Sequence, residues 1–260
     1  MSFNETSLEQ NSYRKQINSV YGAVNVGWKH LVYLDATLRG DQSSTLPIGN
    51  NVYVYPSFSG SFVFSELLKQ SDLMPYGKFR LSWAQVGSDT DPYQLGLVYS
   101  KSKFTYPGYT IGYINNSTMP NKNLKPTKTN SFELGLEMKF LKNRIGLDFT
   151  YYTQNSKNQI MGMASSWTSG YNYRLINAGE IENKGIEIAL NTRPIELKDF
   201  SWDLNLNFSK NSNKVKKLVD GMDMFELEKA AWLDVQVAAK VGENFGAIVG
   251  PDFKRNENGD

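Results

Sequence analysis

Apolar and polar residues alternate one by one along most of the chain, and this period of two constrains the fold more than any other feature. Between Asn130 and Leu141, for example, every second residue from Phe132 to Phe140 is apolar, and Glu133 and Glu137 lie between them. Successive side chains of a β-strand point to opposite faces of a sheet, so such runs predict half-buried strands rather than helices. We predict an all-β, antiparallel fold with eight long strands at residues 17–28, 31–41, 52–66, 78–86, 130–141, 144–158, 181–193 and 200–211.

The connections between the predicted strands are alternately short and long. Lys29 and His30 join the first two strands, and Lys142 and Asn143 join the fifth and sixth. Transmembrane β-barrels have short turns on the periplasmic side and long loops outside, so this alternation favours a membrane barrel. The other short connections are 67–77 and 194–199, and the long ones are 42–51, 87–129, 159–180 and the chain after Ser212.

The two faces of the predicted strands also differ in the way that a membrane barrel requires. A barrel turns its apolar face to lipid, pairs all backbone groups within the sheet, and crosses the bilayer with strands of about 9–11 residues. Large soluble β-sandwiches and lipocalin-like barrels contain alternating aromatic strands too, and they remain the alternative. One face here is aliphatic and aromatic, and the other carries the ionised groups Glu133, Glu137, Asp148, Glu187 and Asp203.

Composition excludes several kinds of chemistry. The 260 residues include 28 basic and 26 acidic side chains, and a net charge of +2 provides no basic surface for nucleic acid. The absence of cysteine excludes disulfides and thiolate sites, and a single histidine, His30, disfavours zinc chemistry. The carboxylates of the polar face are better explained as a hydrated wall, with Lys139 and Arg80 as counter-ions, than as a glycosidase pair. We therefore predict no catalytic residue, no metal and no cofactor.

Several segments resemble the C-terminal barrel of SusC/RagA-type TonB-dependent transporters. The longest is NLKPTKTNSFELGLEMKFLKNRIGLDFTYYTQNSKNQI, at residues 123–160. The segments occur in the order of that family, and a Gly-rich segment at 241–260 also resembles it. The others are YPSFSGSFVFSELL (55–68), GKFRLSWAQVGSDTDPYQ (77–94), LINAGEIENKGIEIALNTRPI (175–195) and FSWDLNLNFSKNSNKV (200–215).

The resemblance implies a plugged barrel of about 22 strands in the outer membrane of a Gram-negative bacterium, of the Bacteroidota. It also implies import of glycans or peptides, with energy from the TonB–ExbB–ExbD complex and a SusD-like surface lipoprotein as a lid. We expect residues 1–260 to be part of one such barrel domain, without the signal peptide, the plug or the final strands. Two other functions stay open: a stand-alone small outer-membrane barrel with a structural or adhesive role, and a soluble glycan-binding β-protein.

Aromatic residues in two predicted outer loops are the candidates for substrate contact. Aromatic faces stack on sugar rings, so contact with a glycan is physically reasonable. The alternative is that these rings pack the loops on themselves or against the lid, because long ordered loops need a small core. The candidates are Tyr93, Tyr99, Tyr106, Tyr109, Tyr113, Trp167 and Tyr171.

Two further motifs are assigned structural roles. Asp89 and Asp91 could supply oxygen ligands to calcium, but a turn built on Asp and Pro92 is favoured. In the segment NAGEIENKGIE, at residues 177–187, Gly179 and Gly185 are expected to allow a bulge or a close backbone approach at the start of a strand.

Overall fold

The computed structural model of the protein describes residues 12–68, 73–97, 99–101, 106–114, 118–230 and 234–252. Two short 3₁₀ helices, Phe64–Leu67 and Trp167–Ser169, occur between the strands. No helix in the described part of the chain is long and apolar enough to cross a bilayer. In chain order, the sixteen strands of these segments are β1 (Ile17–Trp28), β2 (Val32–Ser43), β3 (Val52–Phe62), β4 (Tyr76–Ser88), β5 (Tyr99–Lys101), β6 (Gly112–Ile114), β7 (Thr118–Met119), β8 (Thr127–Phe140), β9 (Ile145–Lys157), β10 (Ile160–Ala164), β11 (Tyr173–Asn177), β12 (Glu180–Glu196), β13 (Ser201–Lys217), β14 (Met224–Lys229), β15 (Gln236–Lys240) and β16 (Phe245–Val249).

Eight strands form one antiparallel sheet in the order β1-β2-β3-β4-β8-β9-β12-β13. These are the eight strands predicted from the alternation, so the all-β antiparallel fold class is confirmed. Each long strand pairs with the next long strand along the chain, as in the wall of an up-and-down barrel. Within the described residues β1 and β13 form the two edges and do not pair with each other, so this sheet is not closed.

Most strand ends differ from the predicted ones by three residues or fewer, and three differences are larger. The third strand ends at Phe62 instead of residue 66, because the chain turns into a 3₁₀ helix whose Phe64 ring packs directly on Gly77. The last long strand continues to Lys217 instead of residue 211, because residues 212–217 pair with the start of β12. The chain after it, predicted to be a loop, contains a separate sheet in the order β14-β15-β16.

Tight turns close the sheet at the end that we call the periplasmic end. Lys29 and His30 have φ angles of 50° and 56°, and Leu31 N donates a hydrogen bond to Trp28 O at 2.9 Å. In the other turn Leu141, Lys142 and Asn143 have φ angles of 50°, 56° and 68°, and Arg144 N donates a hydrogen bond to Leu141 O at 3.1 Å. Two successive positive φ angles are typical of type I′ turns, whose twist matches that of paired strands. These two predicted tight turns are confirmed, and the predicted connection 67–77 includes residues 69–72, which lie outside the described residues. The long connections leave the opposite, outer end.

The apolar face of the sheet is exposed. Val20, Phe58 and Phe208 are exposed by 80%, 56% and 54%. The rings of Phe58 and Trp83 stack on this face, with centroids 6.0 Å apart. A contiguous apolar surface of this extent is rare on soluble proteins, whereas it is the lipid-facing band of a membrane barrel. We call it the lipid face, and the polar side is the inner face.

The lipid face crosses the hydrogen-bonded rows obliquely. Successive register pairs place Phe208 of β13 on the same row as Trp28 of β1. Phe208 is the outermost apolar residue on the lipid face of β13, whereas the corresponding limit on β1 is Val20. Val20 precedes Trp28 by eight residues. The outer limit of the lipid face therefore shifts by eight residues over the seven steps from β1 to β13. With about 3.3 Å per residue and about 4.8 Å between strands, the strand tilt is about 38°. Outer-membrane barrels have tilts of about 35–45°.

Candidate functional site

The long connections at the outer end pack together over the sheet. They comprise residues 44–51, 89–126, 158–179 and 218–252, which we call the outer-loop layer. Leu46, Tyr53 and Leu124 form a buried cluster, and Leu95 and Ile160 pack against it. Three connections therefore share one small core, and this part of the layer is an ordered platform.

A second cluster joins the rest of the layer to the sheet. Val215, at the outer end of β13, is buried with Phe225 of β14 and Ala239 of β15. Met161 and Met163 of β10 pack against this cluster from the neighbouring connection. The small β14-β15-β16 sheet is thereby held over the outer end of the barrel wall.

Asp89 fixes the beginning of the longest connection. Its carboxylate accepts hydrogen bonds from Lys15 Nζ, at 2.5 Å, and from Ser43 Oγ. Burial raises the pKa of Asp89, but the hydrogen bonds from Lys15, Ser43 and Thr45 outweigh burial, and the net pKa is lowered from its ordinary value of 3.8. The structure thus gives Asp89 a structural role that joins β1, β2 and β4. No cluster of three potential metal-ligating side chains occurs in the described residues.

Tyr93 lies in the same connection and has a strained backbone. Its φ angle is 65°, in the left-handed region that bulky residues rarely adopt. Its ring is 56% exposed, and its hydroxyl accepts a hydrogen bond from the backbone N–H of Arg14 at 3.2 Å. Tyr93, Pro92 and Arg14 line a cavity of about 640 Å³ beside the start of β1. The strain makes Tyr93 a candidate for a functional role, although Lys29 and Lys142 have positive φ angles in ordinary turns.

Tyr106 and Tyr109 flank a tight turn between β5 and β6 and form an antiparallel bridge. The residues between them are Pro107 and Gly108, and Gly108 has a φ angle of 84°. Tyr109 N donates a hydrogen bond to Tyr106 O at 2.8 Å, which completes a type II turn. The two rings lie 6.3 Å apart, and they are exposed by 67% and 71%.

The other predicted aromatic residues lie in two places. Tyr99 is in β5 and Tyr113 is in β6, and the Tyr113 ring is 47% exposed. Tyr171 is half-buried beside the second 3₁₀ helix. The side chains of Tyr99 and Trp167 lie outside the described part of the structure. Of the seven predicted rings, the described contacts join Tyr106 to Tyr109.

The inner face is a network of charges. Lys78 Nζ lies 2.9 Å from Glu137 Oε2, and Arg80 Nη2 lies 2.8 Å from Asp148 Oδ1. Arg80 was expected as a counter-ion, and its ion pair is confirmed. Lys139 was expected in the same role, but its ammonium lies over the Tyr76 ring at 5.3 Å. Sequence reasoning missed Lys78, although it precedes Arg80 by two residues and shares its face.

The glycine motif at the start of β12 has the structural role that was predicted for it. Gly179 has a φ angle of 87°, and the pairing of β12 with β13 shifts register between Glu180 and Ile181. At Gly185, an added Cβ would lie 2.5 Å from Lys210 O and 2.6 Å from Tyr152 Oη. The bulge and the close backbone approach are both present.

The architecture and the sequence agree with one protein family. A family model described as TonB dependent receptor-like, beta-barrel, matches residues 2–226. The chain belongs to this family. Its members are outer-membrane proteins, and the chain is similar to SusC and to RagA within this family.

Relatives and solved structures are consistent with this membership. The TonB-dependent receptor P3 of Formosa agariphila is 29% identical over 256 residues, which cover 95% of this chain and 26% of that protein. The TonB-dependent receptor SusC of Bacteroides thetaiotaomicron is 29% identical over 225 residues, which cover 83% and 22%. The structure of the RagAB peptide transporter matches with a TM-score of 0.79 and 21% identity, over 88% of this chain and 25% of that chain. The chain spans about a quarter of the length of these proteins.

Proposed function

We propose that the chain forms part of the wall and outer loops of an importer for glycans or peptides. Energy is delivered by the TonB–ExbB–ExbD complex, and a SusD-like surface lipoprotein covers the outer-loop layer. Residues 1–260 form part of one barrel domain. The observation that carries the proposal is the arrangement of a lipid face, a charged inner face and an outer layer with exposed aromatic rings.

Uptake in this proposal involves binding and conformational change, without covalent chemistry. The exposed rings of Tyr106 and Tyr109 offer two aromatic faces to a substrate at the outer surface. Such faces stack on sugar rings and on apolar side chains. Tyr93, Tyr113 and Tyr171 provide further contacts, with Tyr99 and Trp167 in the same two connections. The charged inner face keeps the lumen of the barrel hydrated.

Two measurements test the proposal. The first compares uptake in cells with and without a functional TonB, and the second compares substrate binding by two variants. Loss of the paired rings in Tyr106→Ala/Tyr109→Ala is expected to weaken binding of the transported glycan or peptide by about tenfold, because each stacked ring contributes about 0.5–1.5 kcal/mol. The control Phe200→Ala removes a ring that is 57% exposed at the periplasmic end, and it should bind normally. Uptake that continues at the same rate without TonB would overturn the proposal.

A further inference from the structure

The outer-loop layer contains a cleft between two small sheets. The cleft has a volume of about 900 Å³ and lies between β10 and β14. Ligand sites in proteins commonly have volumes of about 300–1,000 Å³. Met161, Met163, Met222 and Met224 contribute to its lining. Methionine side chains are flexible and polarisable, so such a surface adapts to ligands of varied shape.

The cleft faces the edges of both sheets. Every residue of β10 and every residue of β14 lines it. Side chains of a strand alternate between faces, so a cavity against a face would be lined by every second residue only. β10 and β14 are also the terminal strands of their three-stranded sheets among the described residues. Each therefore presents backbone N–H and C=O groups to the cleft.

The two edges rest on the same hydrophobic cluster. Met161 and Met163 of β10 and Leu227 of β14 pack against it, and Phe225 of β14 is one of its buried members. Both strands therefore place one face on a common support, with the cleft between their edges. A strand inserted there would join the two sheets into one.

The dimensions of the cleft suit one extended strand. β14 has six residues and β10 has five. An extended strand of about six residues is about 20 Å long. Neighbouring strands in a sheet are about 4.8 Å apart, and stacked sheets are about 10 Å apart. The strand therefore occupies a volume of about 950 Å³. This agrees with the observed volume of about 900 Å³.

The charged side chains that line the cleft indicate the charge of its ligand. Glu226 and Glu228 are exposed on β14, and neither forms an ion pair with another described residue. Lys229 also lines the cleft, but its ammonium lies 3.3 Å from Asp234 Oδ1. The two glutamates thus leave the cleft net negative, which favours a cationic partner.

We propose that this cleft binds a basic peptide segment of five to six residues in an extended conformation, which adds a strand between β10 and β14. Backbone hydrogen bonds to two edges would give affinity, the methionines would accept varied apolar side chains, and the glutamates would select lysine or arginine. The inference rests on the proposed import function and names a peptide as the substrate class at this site.

Binding of a fluorescent hexapeptide of alternating lysine and valine to the protein purified in detergent tests the proposal. A peptide of the same sequence with alternate backbone nitrogens methylated cannot pair along one edge, and we expect its affinity to fall at least tenfold. Hydrogen exchange should become slower at Ile160–Ala164 and Met224–Lys229 when the unmodified peptide binds, and it should be unchanged at residues 247–249 of β16. Equal affinity for the two peptides would overturn the proposal.

The contribution of charge is tested by Glu226→Gln/Glu228→Gln, which should weaken peptide binding by about threefold to tenfold. Glu243→Gln makes the same chemical change in the turn between β15 and β16, away from the cleft, and should leave the affinity unchanged. Tighter binding of a neutral oligosaccharide that displaces the peptide would assign the cleft to glycans and reject the proposal. These measurements need no uptake, so their failure is distinguishable from a failure of TonB-dependent import.

Discussion

Arg80 on β4 and Asp148 on β9 form an ion pair across a strand that lies between them. The guanidinium donates to both carboxylate oxygens, at 2.8 Å and 3.1 Å, although β8 separates the two strands in the sheet. Gly135 of β8 makes this possible, because a Cβ there would lie 2.7 Å from Arg80 Nε. Three strands of the wall are thus joined by one side chain on the inner face.

Gly135→Val is expected to break this ion pair and destabilise the sheet. The added side chain displaces the guanidinium, and the loss of a partly exposed ion pair costs about 0.5–1 kcal/mol, with strain in addition. Thermal unfolding in detergent measures the effect. Gly22→Val on β1 is the matched control, because nothing lies within 4 Å of an added Cβ there. Equal melting temperatures for the two variants would show that the Arg80–Asp148 ion pair across Gly135 does not contribute to stability.

Arginine substitutions along one hydrogen-bonded row test the strand tilt. Trp28, Leu136 and Phe208 share a row, but the oblique lipid face places Leu136 near the middle of the bilayer and the other two near opposite boundaries. Leu136→Arg should lower the free energy of unfolding by about 2–4 kcal/mol. In Trp28→Arg and Phe208→Arg the charge itself should lower it by about 0–1 kcal/mol. Equilibrium unfolding from lipid vesicles measures these costs. A cost that is the same at all three positions would contradict the tilt.

Stability should fall in acid through Asp89. Its folded-state pKa is lowered, so the ionised carboxylate stabilises the fold fully above the ordinary value of 3.8, and this stability is lost as the pH falls through the lowered pKa. Asp89→Asn removes this part of the pH dependence and is less stable at neutral pH. Proteolysis of the 89–126 connection between pH 3 and pH 7 would measure it, with the exposed neighbour variant Asp91→Asn as the control. If the stability of Asp89→Asn fell between pH 7 and pH 3 as much as that of the unchanged protein, the prediction would be wrong.

Tyr93 should show a conflict between stability and binding. Its φ angle of 65° costs a non-glycine residue about 1–2 kcal/mol. Tyr93→Gly removes the strain and the ring together, whereas Tyr93→Ala keeps the strain and removes the ring. We expect both variants to bind substrate less tightly and the glycine variant to melt at a higher temperature than the alanine variant. Normal binding by both would remove Tyr93 from the proposed site.

The wall of the barrel is predictable from sequence because its signals are local. The alternation around Phe132 and Glu133 defines faces, and Lys29-His30 and Lys142-Asn143 define turns without reference to distant residues. The pairing of Tyr106 with Tyr109 was also predictable from the sequence, because Pro107-Gly108 is typical of a type II turn.

The outer-loop layer is less predictable because its contacts are distant in sequence. β14 contains an alternation of Phe225 and Leu227 with two glutamates, but six residues are too few to identify a strand reliably. The ion pair between Arg80 and Asp148 depends on the relative register of three strands, which no single segment specifies. The cleft between β10 and β14 arises from two connections that meet only in the folded chain.

The unequal connections also set an order of assembly. The turn 141–144 brings β8 and β9 together at once, whereas β4 and β8 can pair only after the long connection 89–126 has brought its ends together. Closing the longer connection costs about 2 kcal/mol more chain entropy. We expect hairpins to form first at the periplasmic end, and the two buried clusters of the outer-loop layer to consolidate last.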